Sequence, residues 1–203
     1  MNPRPRPERT PDASRRRALS AAACALLVAA CAPLQPHETA TATARTPLAA
    51  FELEGRLSAT DGTQAATGGL AWQHTRQADS LTLFSPLGSI VARLDSSPAG
   101  AVLTHANGTR HQAADADTLI PAVLGIDLPT GQFARWVQAA PGAGAEVRSR
   151  DAAGRPTLVI DQGWRVDYLA YIDASPQALP ARLDITRGEA RLRLIIDHWT
   201  TAQ

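Results

Sequence analysis

Cys31 is the residue in this chain best placed to do chemistry. Val28-Ala29-Ala30-Cys31 sets a branched apolar residue and two small ones directly before a thiol. A thiol so placed can take up a diacylglyceryl group, and the small residues let a peptidase seat the backbone and cut in front of the cysteine. The other reactive residue types do not converge. The five histidines (37, 74, 105, 111 and 198) are scattered, with no H-E-x-x-H, no paired cysteines and no carboxylates at metal-ligand spacing. There is no G-x-S-x-G elbow, Gly88-Ser89 falls in a turn leading into a strand, and glycine-rich phosphate loops are absent. The residues call for no catalysis, no metal and no cofactor.

The segment before Cys31 reads as an export signal. Arg15, Arg16 and Arg17 are followed by an unbroken small and apolar stretch from Ala18 to Ala30. That stretch is shorter than the about 20 residues that span a bilayer, and it has the length of a signal-peptide core. Val28 to Cys31 resembles the bacterial lipobox, which implies removal of residues 1–30 and lipid attachment at Cys31. Several acyl chains, at about 0.8 kcal/mol per buried CH₂, anchor firmly where one chain does not. Ser14-Arg15-Arg16-Arg17-Ala18-Leu19 also carries paired arginines without the usual aromatic, so both the general secretory and the twin-arginine route stay open. Ala32 follows the anchor cysteine in place of the aspartate common in lipoproteins kept at the inner membrane. An outer-membrane destination, facing the periplasm, follows.

Charge excludes one class of partner. The whole chain carries +1, and residues 1–30 hold six arginines against Glu8 and Asp12, a balance of +4. Taking that away leaves the mature chain near −3, whereas a nucleic-acid binder needs a clustered basic face. All twenty basic residues are Arg, a mark of genomic base composition. Cys24 leaves with the signal and Cys31 is spent on lipid, so no internal disulfide is available and burial alone must hold the core.

Behind these sites stand the elements that must position them. Residues 31–50 are the lipidated N-terminus and a flexible tether, rich in Pro, Thr and Ala without apolar period. As a coil it spans about 25 Å, and about 60 Å if pulled straight. The body, residues 51–203, alternates with the period of two that marks half-buried strands. Phe51, Leu53, Leu57 and Ala59 share a face, as do Leu70 with Trp72, Leu81 with Leu83, and Ile90, Ala92 with Leu94. Later come Leu158 and Ile160, Trp164, Val166 and Tyr168, Leu183 and Ile185, then Leu192, Leu194 and Ile196. Turn signals between them, such as Asp61-Gly62, Ser85-Pro86-Leu87-Gly88 and Asn107-Gly108, predict a curved antiparallel sheet or barrel. Two short helices are predicted between Asp115 and Ala140. The first carries Leu119, Ile120, Val123 and Leu124, capped by Asp115 or Asp117 and stopped by Gly125. The second carries Phe133, Trp136 and Val137 after a cap at Thr130. Laid over the open side of the sheet, the helices make a lidded apolar container.

Motifs in fixed order then suggest a family. Ser85-Pro86-Leu87-Gly88 before Ile90-Val91-Ala92-Arg93, Gly163 to Tyr168, Leu179 to Leu183 and Arg191 to Trp199 together resemble the outer-membrane lipoprotein receptor LolB family, over about Phe51 to Trp199. The resemblance implies a mainly β fold with short helices, an unclosed antiparallel barrel covered by a helical lid. It implies binding and not catalysis: a monomer that accepts lipoproteins from a periplasmic LolA-like carrier and inserts them into the inner leaflet of the outer membrane. An apolar cavity suits that task, because burial of acyl chains is non-directional and scales with area. Leu70, Trp72, Leu83, Phe133, Trp136, Leu183, Leu192 and Leu194 are the expected lining. Leu87, at the tip of its turn, is the expected membrane-contact residue by the same resemblance. Two departures stand out: only Thr46 to Ala50 remain for a helix that usually precedes the first strand, and Ala139 stands where a glycine is common. The second reading is an outer-membrane lipoprotein whose curved sheet serves as an interaction or assembly module, its cavity filled by its own side chains and transferring no lipid.

Overall fold

The computed structural model describes residues 45–201. The expected signal peptide, the expected lipidation site Cys31 and most of the expected tether lie outside the described residues. Eleven strands follow in order: β1 (Ala50–Thr60), β2 (Ala65–Thr75), β3 (Asp79–Phe84), β4 (Ile90–Ser97), β5 (Gly100–His105), β6 (Arg110–Ala113), β7 (Glu146–Arg150), β8 (Pro156–Asp161), β9 (Trp164–Tyr171), β10 (Pro180–Arg187) and β11 (Ala190–Thr201). They form one sheet in the order β6-β5-β4-β3-β2-β1-β11-β10-β9-β8-β7, with antiparallel pairing throughout. Two meanders, each a run of short hairpins, are thus joined where β1 meets β11. The edges β6 and β7 do not pair, so the barrel is unclosed.

Register turns the alternating pattern into one continuous apolar face. Leu103 lies opposite Leu94, Leu94 opposite Leu81, Leu81 opposite Trp72 and Trp72 opposite Leu53. A second row runs Leu57, Leu194, Leu183 and Tyr168. A slip of one residue in any pair would turn a whole strand's apolar set to solvent, so burial itself fixes the register. Curvature comes from register shifts at Glu54/Gly55 on β1 and Leu83/Phe84 on β3, the local kinks by which bulges bend sheets. Gly55 permits the first: a Cβ there would stand 2.3 Å from the Ile195 carbonyl oxygen.

The lid is the segment between β6 and β7, with α1 (Pro121–Leu124) and α2 (Thr130–Trp136). Pro121 occupies the first turn of α1, where its missing N–H costs nothing. Gly125 ends α1 in the left-handed conformation, its N–H bonded to the Pro121 carbonyl. The caps differ from the sequence reading. Neither aspartate caps α1, whose N-cap position is Ile120 and has no side-chain cap bond. Asp115 Oδ1 instead accepts from the Thr118 N–H and hydroxyl, at 2.9 and 2.8 Å. Asp117 Oδ1 accepts from the Thr130 N–H and hydroxyl, at 2.8 and 2.6 Å. Asp117 thereby fastens the start of α2 to the turn before α1, and Thr130 lies inside α2 with Pro129 as its cap.

A closed apolar container and its exposed tip

The concave face of the sheet and the lid enclose a small void between them. Leu57 on β1, Leu70 on β2 and Leu192 on β11 form its floor, Leu81 and Leu83 continue it, and Ile120, Val123, Leu124 and Phe133 close it from the lid side. The void measures about 20 Å³, room for roughly one water molecule. A second void of about 60 Å³ lies beside it at the mouth, between Leu57, Gly68, Leu83, Val91, Val123 and Leu124. In this closed state the container is filled by its own lid.

Of the eight residues expected as lining, Leu70, Leu83, Phe133 and Leu192 face the enclosed void. Leu83 is half-buried and the other three are buried. Trp72, Trp136, Leu183 and Leu194 are buried but lie off its wall. Leu183 and Leu194 pair across β10 and β11, on the row that runs from the void-lining Leu57 toward Tyr168. Trp72 stacks on Phe133 with centroids 5.0 Å apart and donates to Asp79 at 2.8 Å. It belongs to a cluster with Phe51, which touches His74 and Trp199 edge or face, and this cluster seals the end opposite the mouth. Alternation marked the lid and sheet residues as buried without telling which faced each other. Eight further residues line the void unanticipated, among them Leu57, Leu81, Leu94, Leu103 and Val123, although all of these but Leu103 carried the right period.

Trp136 explains itself by its hydrogen bonds. Its indole donates to Asp161 Oδ2 at 2.8 Å, and its carbonyl accepts from the Tyr168 hydroxyl at 2.9 Å. Burial pushes that phenol well above its ordinary pKa, so it stays a donor. Trp136→Phe keeps the ring but leaves the buried Asp161 carboxylate without this donor. The expected result in urea denaturation is a loss of about 1–3 kcal/mol. An unchanged midpoint would show that the Trp136–Asp161 bond contributes nothing.

Leu87 stands free. It is 95% exposed, and Ile90 and Val91 beside it are also exposed. The loop is nonetheless closed by its own backbone: Ser85 accepts at its carbonyl from the Gly88 N–H, 2.9 Å, while its own N–H donates to the Ser89 carbonyl, 2.8 Å. Pro86 sits where such a turn favours proline, and Gly88 takes φ +85° at the position that needs it. Leucines in turns commonly fold back on their own hairpin; here the closed turn aims the side chain outward, at the end of the sheet where the mouth void lies.

The chain enters the body at the other end. Arg45 donates to the carbonyls of Gln138, Pro176 and Ala178 at 3.1, 2.9 and 2.6 Å, and its guanidinium lies 5.6 Å from the Tyr171 ring centroid. The buried Gln138 accepts from the Leu48 N–H at 2.6 Å. These bonds hold the start of the body on the β9–β10 connection, near the foot of β1.

Comparison with known proteins bears on this architecture. The family described as "Outer membrane lipoprotein LolB" matches the chain over residues 49–199. The "Outer-membrane lipoprotein LolB" of Azoarcus sp. (strain BH72) is 53% identical over 190 residues, covering 93% of this chain and 98% of that one. The protein of the same description from Dechloromonas aromatica (strain RCB) is 37% identical, covering 85% and 92%. Among solved structures, a LolA superfamily protein from Nitrosomonas europaea superposes with a TM-score of 0.51 at 8% identity, over 79% of this chain and 89% of that one. That likeness is one of fold alone.

Proposed function

This chain belongs to the outer membrane lipoprotein LolB family, and from that premise we propose that it is the receptor that takes lipoproteins from a soluble periplasmic LolA-like carrier and sets them into the inner leaflet of the outer membrane. The activity is binding and release, with no bond of the cargo made or broken. The observation that carries the proposal is the apolar container with a helix across its mouth and Leu87 projecting beside that mouth. Acyl chains cannot cross water exposed, since each buried CH₂ is worth about 0.8 kcal/mol. A receptor can receive them downhill if its opened container hides more of their surface than the carrier's does. Withdrawal of α1 supplies the space, and the lid's own leucines and valine, returning, expel the chains toward the bilayer. Leu70, Leu83, Phe133 and Leu192 hold the chains, and Trp72, Trp136, Leu183 and Leu194 support the wall behind them.

The closed interior also favours a second reading, an outer-membrane interaction module that keeps its lid shut and moves no lipid. Depletion separates the two. Loss of a receptor leaves carrier and cargo complexes accumulating in the periplasm; normal localisation of other lipoproteins in depleted cells would sink the receptor reading.

On the same reading residues 1–30 are the export signal, Cys31 carries the lipid, residues 32–50 are the tether, and the body faces the periplasm. Among the described residues no helix is long and apolar enough to cross a membrane. Cys31→Ser, carried behind an export signal that is cut without a lipobox, should release the chain into the soluble fraction with its body still folded. Retention in the membrane fraction after a salt wash would count against the lipid anchor.

A further inference from the structure

A larger concavity than either void lies outside the container. It is an open groove of about 750 Å³ on the outer face of the sheet, between β11, β1, β2 and the loop that carries Leu87. One register row crosses it: Ile195, Arg56, Gly69, Phe84 and then Ile90. Its floor is low because Gly69 has no side chain and Ala71 a short one. The Phe84 ring lies beside the bare Gly69, where an added Cβ would come 3.3 Å from Phe84 Cβ. At Gly68 an added Cβ would stand 2.0 Å from the Phe84 carbonyl oxygen. Any side chain there would push β2 and β3 apart.

This groove and the mouth void are neighbours. Both are lined by Leu57, Thr67, Gly68, Gly69 and Phe84, so they lie against opposite faces of the same stretch of sheet, where β2 carries two glycines and β3 ends at Phe84. On the side toward the loop, the half-buried Phe84 pairs with the exposed Ile90, and the exposed Leu87 lies in the loop that joins them. Beyond Gly69 the row reaches paired charges, Arg56 with Asp197 at 2.7 Å and, on β11, Arg193 with Asp184 at 2.7 Å. An apolar floor with a rim of both signs matches a chain of CH₂ groups that ends in a polar, hydrogen-bonding head.

We propose that this outer groove is the exit path along which an acyl chain of a bound lipoprotein passes from the container mouth, over Gly68 and Gly69, to the bilayer at Leu87. The proposal rests on the receptor reading. A chain leaving this way exchanges one apolar surface for the next and is never wholly in water, which is the costly state.

The test uses the full mature lipidated chain, loaded by the carrier with a lipoprotein whose acyl chains are deuterated, and phospholipid vesicles as acceptor. A photoreactive benzophenone side chain replaces Ala71 on the groove floor, and in a control it replaces Arg148 on the distant strand β7. Illumination during delivery should give a deuterated acyl adduct at position 71 and none at 148. In a second arm Ala71→Trp fills the groove from an outward-facing position; uptake from the carrier should persist while delivery to vesicles is lost. An adduct with unlabelled membrane lipid only, no adduct above the Arg148 control, or wild-type delivery by a folded Ala71→Trp chain overturns the exit path while the receptor reading stands. If the wild-type chain takes up no lipoprotein, both fall.

Discussion

Leu192→Glu is expected to unfold the body or bring it to the edge of unfolding at neutral pH. Leu192 has no exposed surface, lies opposite Ala59 on β1 and Ile185 on β10, and faces the enclosed void. Every residue around that void is apolar, so an introduced carboxylate finds no cation and no donor. Burying a polar group without partners costs several kcal/mol, and a charge more, against a typical total of about 5–15 kcal/mol for a domain. The introduced group escapes part of the cost by staying protonated, which raises its pKa above the about 4.3 of the unfolded chain. The sign follows: the unfolded state gives up its proton first as pH rises, so stability relative to wild type falls from about pH 4 upward. Urea midpoints at pH 4.5 and 7.5 should thus separate for the variant by more than for wild type. Leu192→Met, which keeps volume and polarity, should cost less than about 1.5 kcal/mol. A Leu192→Glu chain that folds and binds acyl-chain probes as wild type does would show that Leu192 does not face the container.

How much of this could be read before the structure differs from level to level. The strands were legible because both faces of an antiparallel sheet obey the same period, and because turns such as Asp61-Gly62 and Asn107-Gly108 punctuate it. The unclosed barrel itself came from the family resemblance, since periodicity does not say whether β6 meets β7. The lid was legible as two apolar stripes, but its fastenings were not. Asp117 was read as a local cap and turns out to hold Thr130, thirteen residues away, a contact that no local rule contains. Ala139 was visible as a departure. The structure gives it φ +51° with its N–H bonded to the Trp136 carbonyl, the left-handed turn after a helix that glycine adopts with least strain. The outer groove was not legible at all. It depends on Gly69 and Phe84 meeting across two strands, and an outward-facing glycine carries no periodic signal.

Leu87→Glu is expected to leave a folded, anchored chain that still takes lipoproteins from the carrier but does not deliver them. Nothing in the fold depends on the side chain: it is 95% exposed, and the turn is closed by Ser85, Gly88 and Ser89 through bonds that any residue at position 87 permits. Substitution at such a surface site ordinarily changes stability by less than about 0.5 kcal/mol. Uptake should also persist, because the container walls and the lid are untouched. The effect falls on contact with the bilayer. A leucine buried in lipid contributes about 1.5–3 kcal/mol, a factor of roughly ten to a hundred in how often the mouth meets the membrane. A carboxylate forfeits that and adds the cost of moving a charge toward hydrocarbon. The proposed lipid on Cys31 would not compensate, since the described chain enters the body at Arg45, at the foot of β1, and the mouth lies at the other end of that strand. Anchoring therefore brings the protein to the membrane without turning its mouth there, and the orienting contact has to come from Leu87, with Ile90 and Val91 behind it. Leu87→Phe, apolar and larger, should deliver normally. The measurement is transfer from carrier to receptor to liposome with the two steps assayed separately. Unchanged delivery by Leu87→Glu, or loss of the first step with the fold intact, would remove this role from Leu87 and leave the mouth to be oriented by some other contact.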